Sequence, residues 1–124
     1  MSASVLIVDD NLDLLELLHF ALTRKGITVE TATCGEEGLE ALRTRQPDLV
    51  LVDFEMPDMN GNQFLDRVEA LGKQSFSESS FVYCSAGACP DDKRVKGCLN
   101  KMTGLNEFVG LIRNFLPRGS ESHV

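Results

Sequence analysis

The run Pro47-Asp48-Leu49-Val50-Leu51-Val52-Asp53 decides the fold. Four consecutive aliphatic residues, entered through a proline and left on a carboxylate, read as a strand buried on both faces. A strand of that kind belongs to a parallel sheet covered by helices. Asp53 then sits at the carboxyl edge, where ligand sites of open α/β folds gather. The stretch Ser4-Val5-Leu6-Ile7-Val8-Asp9-Asp10 repeats the pattern near the N-terminus. Three acids from two strand ends are thus expected in one cleft. Such a cluster repels itself unless a divalent cation holds it together, and hard oxygen ligands suit Mg²⁺.

Outward from these two strands, strand-like runs alternate with helical patterns, the mark of a parallel α/β sheet. Asn11 caps a helix to about Arg24, with Leu12, Leu15, Leu18 and Leu22 at helical spacing and His19 half-buried among them. Ile27 to Thr31 reads as the second strand and Glu36 to Arg45 as the second helix. Asn60 caps a third helix to about Leu71, and Gly72 to Ser80 reads as a loop. Phe81 to Cys84 is the fourth strand and Gly97 to Lys101 a short fifth. Leu105, Phe108, Val109, Ile112 and Phe115 line one face of a closing helix that Pro117 ends.

At 124 residues the chain has room for one domain and one core. The expected organisation is a domain over residues 1–117 with a flexible tail over 118–124. Apolar residues make up 43 % and charged residues 25 %, an ordinary soluble balance. The net charge of −7, with no basic run, argues against nucleic-acid binding. Nothing reads as a signal peptide or spanning helix, so the expected location is cytoplasmic, with no membrane partner. Cys34, Cys84, Cys89 and Cys98 are expected as free thiols, as in a cytosolic chain, and the lack of a tight Cys-x2-Cys pair or a nearby histidine argues against a zinc site.

A carboxylate beside a divalent cation can bind the metal or attack a phosphorus centre and carry the phosphoryl group as an acyl phosphate. The second task requires neutralising three phosphoryl oxygens. The sequence supplies a set for it: Asp9 and Asp10 for metal, Asp53 for attack, and Ser85 and Lys101 at the ends of the fourth and fifth strands. Taken singly, each has a bland reading, as a helix start, a turn residue or a solvated charge.

Together, Val8-Asp9-Asp10, Leu51-Val52-Asp53, Met56-Pro57-Asp58-Met59-Asn60-Gly61, Ser85-Ala86 and Lys101 resemble the receiver domain of bacterial two-component response regulators. The resemblance covers residues 4 to about 117. It implies a doubly wound, flavodoxin-like five-stranded parallel sheet in the order 2-1-3-4-5. It also implies that Asp53 is the phosphoacceptor, Asp10 a direct metal ligand and Asp9 a ligand chiefly through water. Asp53 and the backbone carbonyl of Glu55 would complete the protein's share of an Mg²⁺ shell. Ser85 would hydrogen-bond the phosphoryl group and Lys101 would pair with it. The implied donor is a histidine kinase, a histidine phosphotransfer protein or a small acyl phosphate. With one domain's worth of chain, output would pass to a downstream protein target.

Three features depart from that pattern. Fifteen residues separate Ser85 from Lys101. An average helix of about 11–12 residues with two connections of about 4–6 does not fit beside a fifth strand. The family's crossover helix, its fourth, is therefore expected to be missing or about one turn long. Cys98 stands where the family has a switching aromatic three residues before the lysine. Met102 follows Lys101 where the family has proline, so a trans peptide bond is expected. These departures predict an output surface other than the usual one, on the first helix or the remodelled loop after the fourth strand. They also sustain a second reading, a phosphorylation-independent adaptor module. A phosphatase of the haloacid dehalogenase type also uses a nucleophilic aspartate and Mg²⁺. That family places Asp-x-Asp after its first strand, whereas Asp53-Phe54-Glu55 follows the third.

Overall fold

A computed structural model of the chain describes residues 3–72 and 79–117. Its elements are β1 (Ser4–Val8), α1 (Leu12–Thr23), β2 (Thr28–Ala32), α2 (Gly35–Thr44), β3 (Leu49–Asp53), α3 (Gly61–Ala70), β4 (Ser80–Ser85), β5 (Gly97–Asn100) and α4 (Leu105–Asn114). The strands form one parallel sheet in the order β2-β1-β3-β4-β5, as the apolar runs predicted. The proposed tail at 118–124, with His123, and most of the loop expected over 72–80 lie outside the described residues.

Strand residues alternate between two cores, as the pleat requires. Val5, Ile7, Leu49, Leu51, Val82 and Leu99 face α1 and α4, meeting Leu15, Leu18 and Leu22 on one and Phe108, Val109 and Ile112 on the other. Leu6, Val8, Val50, Val52, Phe81 and Tyr83 face α2 and α3, meeting Leu39, Leu42, Phe64, Leu65 and Val68. All five residues of β3 are buried. Each fully buried Leu, Phe or Val contributes about 1.5–3 kcal/mol, so this double packing outweighs local propensity in fixing the sheet. Leu12 departs from the predicted stripe and is 61 % exposed, while Leu14 and Leu15 in the same turn make the contact with the core. His19 is exposed too, not half-buried.

Helix ends are fixed by side chains. Asn11 accepts the Leu14 N–H at 3.1 Å. Asn60 and Gln63 form a reciprocal capping box at α3, at 2.8 and 2.9 Å. Cys34, at the N-cap of α2, has no capping group of its own. Asp58 serves instead, accepting the N–H groups of Gly35 and Glu36 at 3.0 and 2.9 Å. Gly61 needs its missing side chain for space, with no positive φ at the helix entry. A Cβ there would lie 2.6 Å from Tyr83 Cε1 and 2.9 Å from Phe54 Cδ1.

Between β4 and β5 the chain crosses without a helix, as the residue count predicted, and four helices remain among the described residues. The crossover is held by polar and covalent ties. Lys96 N–H donates to Phe81 O at 2.7 Å. Arg94 fans onto Asp66, Glu69 and Asp92 at 2.7–3.0 Å. Cys89 and Cys98 form a disulfide, with Cα atoms 6.2 Å apart. The expectation of four free thiols is thus corrected for this pair. A residue on the crossover is laid against β5 by the return of the chain, a proximity that sequence spacing alone does not reveal. Cys34 and Cys84 remain free.

Candidate functional site

The carboxyl edge of the sheet gathers the five predicted side chains. Register pairs Val8 with Val52, which sets Asp9 beside Asp53. Asp53 in turn pairs with Cys84, one residue before Ser85. Ser85 pairs with Asn100, one residue before Lys101. Lys101 Nζ lies 2.8 Å from Asp9 Oδ2 and 3.1 Å from Asp53 Oδ2, bridging two carboxylates instead of pairing with Asp53 alone. Asp9 is 1 % exposed and Asp53 5 %, whereas Asp10 is open to solvent.

Local hydrogen bonds hold these groups in place. Asp9 Oδ1 accepts the Asn11 N–H at 2.9 Å, tying the first acid to the start of α1. Phe54 N–H donates to Cys84 O at 2.9 Å, extending the β3–β4 ladder past the carboxylate. Glu55 N–H reaches Asp53 Oδ1 at 3.3 Å, and Glu55 bridges Asn60 across the turn into α3. Ser85 Oγ accepts the Gly87 N–H at 3.1 Å, which leaves its hydroxyl hydrogen for another acceptor. A cleft of about 350 Å³ opens here, between Asp53 and Glu55 on one side and Ser85 with residues 86–88 on the other, and Lys101 also lines it.

Burial pushes the Asp53 carboxyl up to about 6, the Asp9 charge pushes the same way, and Lys101 opposes both. Burial pulls Lys101 down, but its hydrogen bonds to Asp9 and Asp53 win and its pKa is raised. Three carboxylates therefore face one ammonium. One oxygen from each of Asp9, Asp10 and Asp53 lies within 4.8 Å of the others, close enough to share one cation. An excess of hard anionic oxygens, two of the three acids buried, fits a divalent ion of the Mg²⁺ type. Glu55 is exposed and its carboxylate stands outside that group, so its candidate contribution is the backbone carbonyl named from sequence.

Sequence reasoning missed two supports of the site. Asp58 ties the turn after Asp53 to α2, and Lys101 holds Asp9 as well as Asp53. The Asp58 signal lay within Met56-Pro57-Asp58-Met59-Asn60-Gly61, quoted for the family resemblance with no role assigned to Asp58. The Lys101–Met102 peptide is trans, as expected, and no cis bond occurs among the described residues.

A family model described as the response regulator receiver domain matches residues 5–109, and the chain belongs to that family. Receiver domains are the signalling modules of two-component systems. Transcriptional regulatory protein KdpE of Mycobacterium tuberculosis is 29 % identical over 122 residues, covering 94 % of this chain and 52 % of the relative. Transcriptional regulatory protein GlrR of Escherichia coli is 42 % identical over 67 residues, 54 % of this chain and 15 % of that one. The chain thus spans about half or less of these relatives. Among solved structures, chemotaxis response regulator CheY4 of Vibrio cholerae superposes with a TM-score of 0.81 at 24 % identity, covering 94 % of this chain and all of that one. Response regulator TrrA of Thermotoga maritima, solved in complex with Mg(2+)-BeF, gives 0.76 at 23 % identity over 92 % of this chain and 99 % of that one. At these identities the structural likeness establishes the fold. No helix among the described residues is long and apolar enough to cross a membrane.

Proposed function

We propose that the chain is the receiver domain of a cytoplasmic response regulator that accepts a phosphoryl group on Asp53 from a histidine kinase or phosphotransfer protein. Residues 1–117 form the working unit, and the signal leaves through contact with a downstream protein. The observation that carries this reading is the convergence of four strand ends on Asp53, which clusters with Asp9 and Asp10 and lines one cleft with Ser85 and Lys101. TrrA, bound to Mg²⁺ and BeF, offers a precedent for the ligands such a cleft takes.

The chemistry divides among named groups. An Asp53 carboxylate oxygen attacks the donor's phosphorus, and the bond from phosphorus to the leaving imidazole or acyl oxygen breaks. Lys101 then neutralises one phosphoryl oxygen and the Ser85 hydroxyl donates to another. Asp9, Asp10, Asp53 and the Glu55 carbonyl are the groups that would hold Mg²⁺. Bound there, the ion supplies charge neutralisation at a further oxygen. Attack by water later returns inorganic phosphate and the free carboxylate. The domain thus turns over its own modification and no metabolite.

Read-out differs from the family pattern in this proposal. Cys98 is bonded to Cys89, so the residue at the switching position makes no aromatic rotation. The output face we propose is the helix-free crossover with the exposed outer side of α1. The same observation favours the second reading, an adaptor that works without phosphorylation. Incubation with Mg²⁺ and acetyl phosphate, read by intact mass, separates the two. One added phosphoryl group supports the phosphoacceptor. No adduct, together with no response to beryllofluoride, leaves the adaptor.

A further inference from the structure

The crossover is anchored unevenly. Residues 92–96 are tied down by the Arg94 fan and by the Lys96 N–H on Phe81 O. Val95 also packs against the core under α3. Residues 86–91 include the wall of the Asp53 cleft. After the turn in which Gly87 N–H meets Ser85 Oγ, no hydrogen bond among the described residues holds Ala88, Pro90 or Asp91. The covalent attachment of this half to the sheet is the Cys89–Cys98 bond, and Cys89 also packs against the core on the α2–α3 side.

The placement of that bond matters as much as its presence. Cys89 lies four residues after Ser85, and Cys98 three before Lys101. One covalent link therefore joins the segment leaving one cleft residue to the strand entering another. Cys98 is exposed, on a strand that pairs only with β4 at the edge of the sheet, and Cys89 is half-buried. Exposed disulfides of this kind are the labile ones, whereas buried ones resist reduction. Where disulfides occur in reducing compartments they are usually transient and redox-sensing.

We propose that Cys89 and Cys98 form a reversible dithiol–disulfide site that locks residues 86–91 against the Asp53 cleft when oxidised and frees them when reduced. A thiolate of a cellular dithiol attacks Cys98 Sγ, the Sγ–Sγ bond breaks, and Cys89 leaves as a thiolate that takes a proton. The second thiol of the reductant then displaces Cys98, which is released as a thiol, and the reductant ends as its own disulfide. Two electrons and two protons pass to the pair; an oxidised dithiol reverses the exchange. The consequence for lifetime rests on the phosphoacceptor reading of Asp53. With the wall freed, water reaches the acyl phosphate more readily and hydrolysis quickens.

The test holds the full chain in oxidised or in reduced dithiothreitol and counts alkylated thiols by intact mass. The folded protein is expected to gain two alkylated cysteines on reduction, since Cys34 is a free thiol and Cys84 a buried one while the pair is oxidised. Amide exchange is then compared across residues 86–98. Closing a loop of about ten residues restricts the chain by the equivalent of up to about a hundredfold in an opening equilibrium, so exchange is expected to quicken by up to that factor on reduction. Cys89→Ser/Cys98→Ser should match the reduced wild type in both buffers. Thiols free in the oxidised buffer, a bond that yields only on denaturation, or exchange unchanged by reduction would each overturn the proposal. The phosphoacceptor reading is judged separately. If acetyl phosphate leaves no adduct in either state, that reading fails while thiol count and exchange still decide this one. If an adduct forms and its lifetime is the same in both states, the coupling to Asp53 fails alone.

Discussion

Replacing Asp53 by asparagine is expected to stabilise the metal-free protein at neutral pH. Asp53 is 5 % exposed and shares Lys101 with Asp9, so its ionisation in the folded state is opposed by burial and by a neighbouring charge. The rise from an ordinary 3.8 to about 6 corresponds to about 3 kcal/mol. The sign follows from proton linkage. A carboxyl whose folded-state pKa is raised binds its proton more tightly when folded. Stability is therefore lost as pH climbs from 3.8 to about 6 and is level above that. The asparagine amide makes a poorer neighbour for the ammonium, although Lys101 keeps Asp9 at 2.8 Å. A net gain of about 1–3 kcal/mol remains, or roughly 4–10 °C in Tm for a domain of this size. Near pH 4 the gain shrinks to about 0.5 kcal/mol. Mg²⁺ at about a hundredfold excess over its Kd stabilises the wild type by about 2.7 kcal/mol, which closes most of the gap. Thermal melts of both proteins at the two pH values, with and without Mg²⁺, measure all of this. A variant no more stable than wild type at neutral pH without metal would refute the reasoning, as would a gap independent of pH.

Three further substitutions have defined outcomes. Gly61→Ala forces a Cβ to within 2.6 Å of the Tyr83 ring and should cost about 1–3 kcal/mol in urea denaturation. Asp58→Ala strips α2 of its borrowed cap and should cost about 0.5–2 kcal/mol, with faster amide exchange at Gly35 and Glu36. Lys101→Ala removes the ammonium between Asp9 and Asp53. It should slow labelling by acetyl phosphate by about a hundredfold, read by intact mass over time, while circular dichroism stays that of the wild type.

Much of this was legible in the sequence because the decisive signals are short-range. The runs at 5–8 and 49–52 are apolar on both faces, and only a covered parallel sheet accommodates that. The acids that follow them fall at one edge by geometry, so the cluster of Asp9, Asp10 and Asp53 could be read before any coordinates. The missing crossover helix was legible by length alone. What the sequence hid depends on contacts between distant segments. Cys89 meets Cys98 because β5 returns alongside β4, with Cys98 opposite Tyr83. Asp58 reaches α2 across 23 residues, and Arg94 reaches Asp66 across 28. The demand for a glycine at position 61 was hidden because the side chain that imposes it, Tyr83, lies 22 positions away in sequence.

The central claim is that Asp53 itself carries the phosphoryl group. The direct measurement is to treat the protein with Mg²⁺ and acetyl phosphate, reduce it with borohydride, and map the modified peptide by mass spectrometry. Borohydride converts an aspartyl phosphate to homoserine. The account predicts homoserine at position 53, dependent on Mg²⁺ and absent from Asp53→Asn. Conversion at Asp9, Asp10 or Glu55 instead, or at no residue while the fold is intact, would contradict it.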